Sequence, residues 1–166
     1  MMNDMIEVGQ IVNTRGLKGE VKVVPYTDYP EFFEEISGVE TDDGKYREIE
    51  YVKYIKGSVI LKLKGTDSVE EAEKMRRHML YVSREEIGEL PQGVYLIADI
   101  IGLEVHDDER SYGHVTDVIQ TGSNDVYVVE KDGEKPLLIP ALKSVILETN
   151  IDEKYILVKL PEGLID

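Results

Sequence analysis

"NTRGLKGEVKVVPYTDYPEFFEEI", residues 13–36, changes period partway along and carries a cluster of cations. In "EVKVVP" (20–25) apolar and polar side chains alternate, which is the period of a strand with one buried face. "IEVGQIVN" (6–13) reads the same way, and Gly16-x-x-Gly19 between the two tolerates positive φ, so the pair predicts a glycine-permitted hairpin. "TDYPEFFEEI" (27–36) then breaks the alternation. Asp28 and Pro30 suit a helix start, with Phe32, Phe33 and Ile36 available to pack. The hairpin gathers Arg15, Lys18 and Lys22 in a chain that holds 34 acidic against 19 basic residues.

Period-two alternation extends outward from this stretch. "REIEYVKYI" (47–55), "SVILKLKG" (58–65) and "MLYVS" (79–83) are strand candidates. "TDSVEEAEKMRRHM" (66–79) predicts a helix, with Asp67 or Ser68 as cap and Val69, Ala72 and Met75 on one face. "REEIGELPQG" (84–93) is polar, contains Pro91 and two glycines, shows no period and reads as a linker. Six further candidates follow: "IGLEVHD", "GHVTDVIQ", "DVYVVEK", "KPLLIP", "VILETN" and "KYILVKL". Asp132-Gly133 predicts a two-residue hairpin, and spacing this tight predicts an up-and-down sheet closed on itself. The fold class expected is mainly β: two small antiparallel β-barrel domains joined by a short linker, with one or two short helices.

A length of 166 residues with 42% hydrophobic and 32% charged side chains is a globular composition. No run approaches the roughly 18 uncharged apolar residues of a membrane helix, and "MMNDMIEV" lacks a signal peptide's basic-then-apolar layout, so the expected location is cytoplasmic, away from membranes. With no cysteine there is no disulfide, thiolate nucleophile or cysteine-ligated metal. His78, His106 and His114 show no i, i+4 pair, no G-x-S-x-G elbow occurs, and "RGLKGE" fails the P-loop spacing. A KH-type clamp would need helices beside Gly16-x-x-Gly19, where strands are predicted. Paired acids such as Asp107-Asp108 and Asp42-Asp43 lie in predicted turns, where the ordinary role is a solvated loop tip; a carboxylate-pair enzyme stays open but nothing selects one, and no catalytic residue, metal ligand or cofactor is predicted. Two readings of the hairpin remain: a turn alone, or a phosphate contact by Arg15 and Lys18.

Net charge is −15, unevenly spread. Residues 1–88 carry 18 acidic and 13 basic side chains, a balance of −5, and residues 89–166 carry 16 and 6, a balance of −10. The acidity either serves solubility alone or suits a basic protein partner for the second half.

Taken together, "VGQIVNTRGLKGEVKVVPYTDYPEFF" (8–33), "VEEAEKMRRHMLYVSREE" (69–86), "ADIIGLEV", "GSNDVYVVEKDG", "LLIP" and the ending "KLPEGLID" resemble the ribosome maturation factor RimM family over nearly the whole chain and in order. The resemblance implies a RimM N-terminal β-barrel at 1–86, a linker at 87–94 and a PRC-barrel domain at 95–166. It further implies a non-enzymatic assembly factor for the head of the 30S subunit, needed for efficient 16S rRNA processing. Its partners would be small-subunit ribosomal protein nineteen, which is basic, and free 30S subunits or their precursors, with rRNA contact secondary. The family's adjacent aromatic pair, part of the ribosomal-protein contact, falls on Tyr95 and Leu96; Tyr95 matches and Leu96 departs. Two alternatives stand beside this: a generic PRC-barrel docking module, and an RNA-binding β-barrel like those of translation factors.

Overall fold

The computed structural model of the protein describes residues 5–164, so the first four residues of "MMNDMIEV" and the last two of "KLPEGLID" lie outside the described residues. The chain divides into two compact units, Met1–Ala98 and Asp99–Asp166.

The first unit is a closed six-stranded barrel. Its strands are β1 (Met5–Arg15), β2 (Glu20–Pro25), β3 (Gly38–Glu40), β4 (Tyr46–Ile55), β5 (Ser58–Leu63) and β6 (Met79–Ser83), in the order β1-β2-β5-β4-β3-β6 with β6 returning to β1. Register shifts in β1 between Glu7 and Gly9 and between Ile11 and Asn13, and in β4 between Ile49 and Tyr51, supply the bends a small barrel requires. Alternation puts Val8, Ile11, Val21, Val23 and Leu61 inside. The expected helix at 27–36 is a 3-10 turn, Pro30–Glu34, which inserts Phe32 and Phe33 into the core as an edge-to-face pair with centroids 5.5 Å apart.

The second expected helix is also shorter than its sequence pattern. Ser68 caps α1 (Val69–Glu73) by accepting from the Glu71 amide at 3.2 Å, but the next amides bond three residues back, Met75 to Ala72 and Arg76 to Glu73. Arg77 then takes φ +74°, and the chain turns into β6. Strand β3 was not predicted; three residues are too few to display a period. Within the expected linker stretch, Ser83 and Glu86 form a cap for α2 (Arg84–Ile87), and Ile87 is buried. Leu90 packs against the same core. Past it the chain bonds back to the first unit: Leu96 forms an antiparallel bridge with Thr27, and the Ile97 amide donates to the Tyr26 carbonyl at 2.9 Å. A one-turn helix, α3 (Ile97–Ile100), holds the point of division. Among the described residues the helices thus number three, all short, plus the 3-10 turn.

The second unit is a six-stranded sheet of β7 (Glu104–His106), β8 (Ser111–Ile119), β9 (Val126–Glu130), β10 (Leu137–Pro140), β11 (Ile146–Asn150) and β12 (Tyr155–Val158), ordered β10-β9-β8-β7-β12-β11. It departs from the expected up-and-down ring in two respects. β12 pairs with β7 in parallel, Ile156 opposite Val105, and β10 and β11 end the hydrogen-bonded order without joining. Six strands laid flat would hold the outer two about 24 Å apart. The connection 141–145 would fall short of that even when extended, reaching about 20–22 Å at about 3.3–3.6 Å per residue, and it is folded: the Leu142 carbonyl accepts from the amides of Val145 and Ile146 at 2.9 and 2.8 Å. The sheet therefore curls into a half-barrel around Leu103, Val105, Val115, Val129, Ile139 and Ile156. Gly113 is obligatory here, at φ +112° with the Glu130 carbonyl oxygen 2.1 Å from where a Cβ would stand. The Asp132-Gly133 hairpin is longer than two residues: Leu137 stands opposite Val129, one residue off the register a two-residue loop needs, and the ladder stops short of Pro136, which has no amide to donate.

Candidate interaction surfaces

The β1–β2 hairpin places Arg15 opposite Glu20, with 16–19 as the loop and Arg15, Leu17 and Lys18 exposed. Gly19, at φ +91°, passes so close to the Thr66 carbonyl oxygen that a Cβ would sit 2.2 Å from it, which pins the loop to the start of the segment leading into α1. Glu20 is buried and occupied: it accepts from the Tyr51 hydroxyl and meets the Lys53 ammonium at 3.0 Å. The Tyr51 hydrogen bond, aided by the charges of Lys53 and Arg15, holds the Glu20 carboxyl below the usual range despite its burial, and the same bond pushes the Tyr51 phenol up to about 12. Lys53 also lies over the Tyr51 ring, 5.1 Å from its centroid. The hairpin end thus keeps exposed cations around a carboxylate already spoken for.

Tyr95 and Leu96 fall in the first unit. Leu96 is wholly buried in its core. Tyr95 is half-buried, and its carbonyl accepts from the Thr27 hydroxyl at 3.0 Å. The three histidines stay apart. His78 follows α1, His106 packs against the Tyr155 ring at a tilt of 43° with centroids 5.2 Å apart, and His114 is exposed on β8. Among the described residues no three His, Asp or Glu side chains are arranged to hold a metal ion, and no helix is long and apolar enough to cross a membrane.

The β7–β8 turn organises the acidity of the second unit. Asp107 accepts from the amides of Glu109 and Arg110 at 2.8 and 2.9 Å and from the Tyr112 hydroxyl, and these bonds, the tyrosine's foremost, hold its carboxyl below the ordinary aspartate range. Asp108 and Glu109 are left on the exposed side of a turn that Asp107 fixes. In the sequence Asp107-Asp108 reads as a solvated loop tip within a turn, and the structure places it in one, with Asp107 as the residue that organises the turn.

A closed barrel with a basic hairpin, followed by an acidic half-barrel, defines a protein of two β modules. Residues 6–87 match the model of the RimM N-terminal domain and residues 97–164 that of the RimM PRC barrel domain. Relatives named ribosome maturation factor RimM include one from Caldicellulosiruptor bescii, 45% identical with 99% of this chain and 100% of the relative covered, and one from Ruminiclostridium cellulolyticum, 46% identical with the same coverage. A crystal structure of a 16S ribosomal RNA processing protein RimM from Pseudomonas aeruginosa is 26% identical, covers 95% of this chain and 98% of its own, and superposes with a TM-score of 0.46. The chain belongs to the ribosome maturation factor RimM family.

Proposed function

We propose that the chain is a non-enzymatic maturation factor of the small ribosomal subunit, working in the cytoplasm on free 30S subunits or their precursors, at the head, in support of 16S rRNA processing. The second unit binds small-subunit ribosomal protein nineteen, with labour divided between the N-terminal barrel and the PRC barrel. The observation that carries this reading is the segregation of charge: residues 99–166 hold 15 acidic against 6 basic side chains. Such a surface repels RNA and attracts a basic protein. Arg15 and Lys18 make a secondary contact to rRNA phosphate, favoured by their exposure and by the internal neutralisation of Glu20. Tyr95 supplies an aromatic contact to the ribosomal protein, and Leu96 supports it from beneath as part of the core.

The test is binding of the full chain to purified ribosomal protein nineteen and to 30S precursors. Association with the ribosomal protein should slow as salt rises. Tyr95→Ala should weaken it about 30-fold, or about 2 kcal/mol, with the melting midpoint kept. Changing Arg15 and Lys18 to Glu should spare the isolated ribosomal protein and weaken association with 30S precursors. Failure of the wild-type chain to bind the ribosomal protein at low salt would sink the assignment.

A further inference from the structure

Strand β11 ends the sheet order of the second unit, and its pairing with β12 skips a residue: Ile146 stands opposite Val158, and Glu148 opposite Leu157. Leu147 is the residue left over. A bulge re-aims the side chain it frees, and Leu147 is 53% exposed although Val145, two residues before it, is buried. It faces an open groove of about 720 Å³ whose apolar part continues through Leu157 and Leu160.

The walls of this groove carry Asp107, Asp108, Glu109 and Glu162 against one cation, Lys159. Asp107 is consumed by the turn it organises. The carboxylates of Asp108, Glu109 and Glu162 have no hydrogen bond or ion pair among the described residues. Exposed acids alone are ordinary, and so is one exposed leucine. Here an outward leucine on a bulge, an apolar floor and three unpaired carboxylates share one concavity, and that combination selects its occupant. Nucleic acid and anionic lipid are repelled by the walls. A cation without apolar groups leaves the floor wet.

We propose that this groove receives a protein segment in which Lys or Arg side chains flank an aliphatic residue, the aliphatic group resting on Leu147 and Leu157 and the cations meeting Asp108, Glu109 and Glu162. The proposal rests on reading the second unit as the protein-binding half, and it names the docking site within that half.

Three probes test it on the full chain: ribosomal protein nineteen, the acetylated peptide Lys-Leu-Lys-Val-Lys-Leu-Lys, and a short single-stranded RNA. Reversing Asp108, Glu109 and Glu162 to Lys should weaken binding of the ribosomal protein and the peptide by at least about 30-fold, because each exposed reversal turns attraction into repulsion. Leu147→Ser should cost about tenfold. Both changes lie on the surface, and melting midpoints should hold within a few degrees. Amide shifts caused by the peptide in the wild-type chain should fall at 107–109, 147 and 157–163. If the reversed chain binds the ribosomal protein as the wild type does, the groove is wrong and the proposed function stands. If the peptide binds in the groove and the ribosomal protein binds nowhere, the groove stands and the partner assignment falls. The groove is overturned if the wild type binds neither probe, or if the RNA binds it and shifts the same amides.

Discussion

The two units handle polar groups in opposite ways. The first buries them: Glu20, Thr27, Thr41, Lys62 and Thr66 are each at most 7% exposed. Each has a partner. Lys62 reaches Asp67 at 2.8 Å and the Leu63 carbonyl at 3.0 Å, and Thr41 donates to Asp43, which Arg47 also holds at 2.9 Å. The second unit keeps Leu138, Leu147, Ile119 and Ile101 more than 40% exposed and leaves the carboxylates of Asp108, Glu109 and Glu162 without a partner among the described residues. A barrel that closes its ring satisfies its own edges, whereas an open half-barrel has surface to offer. On the proposed function the contrast puts recognition in the second unit, although the first also exposes Leu17, at 84%.

Changes that cross this assignment should have the largest effects. Leu96 lies next to a proposed partner contact but inside the first unit's core, so Leu96→Ala should cost about 2–5 kcal/mol. Amide exchange should show the lost protection in the first barrel while strands β7 to β12 keep theirs. If protection fell mainly in the second unit, Leu96 would belong functionally to the PRC barrel. Gly113→Ala makes the reverse demand. Its positive φ and the approach of the Glu130 carbonyl should together destabilise the half-barrel by about 1–3 kcal/mol, visible as early exchange in β8 and β9.

Acid should act on both units through different carboxylates. Asp107, Glu20 and Asp43 all have folded-state affinities for protons below the ordinary value, Asp43 chiefly through the Thr41 hydroxyl. A lowered carboxyl contributes stability that is complete above its unfolded value, near 4, and is lost as pH falls through the folded one. Asp107→Asn should therefore flatten the acid limb of the second unit's unfolding and leave that of the first unchanged. Tyr51 works in the other direction: raised to about 12, it contributes below about 10 and loses that contribution as pH climbs through its folded value. Alkaline titration of unfolding should show it, and Tyr51→Phe should remove it.

The smallest effect is expected at Lys62. Its ion pairs with Asp67 and Glu50 join a buried ammonium to partly exposed acids, so attraction is offset by desolvation. Lys62→Met should leave stability within about 1 kcal/mol by urea unfolding. A loss above 3 kcal/mol would make the buried charge a principal support of the barrel.

Local chemistry determined much of this protein in advance. Alternation in "EVKVVP" and "MLYVS" located β2 and β6 to the residue, because a strand with one buried face must repeat every second position. Gly16 and Gly19 announced a hairpin with positive φ, and the charge imbalance of the two halves was visible as composition. Other features depended on residues far apart in sequence. Which barrel takes Leu96 is decided by Thr27, 69 positions earlier in the chain, and the parallel pairing of β12 with β7 joins strands some 50 residues apart. The outward turn of Leu147 exists only because β11 and β12 pair with one residue to spare. Periodicity tells a residue which side of a strand it occupies, but strand partners, and therefore edges, bulges and the groove they shape, are set when distant segments pack together.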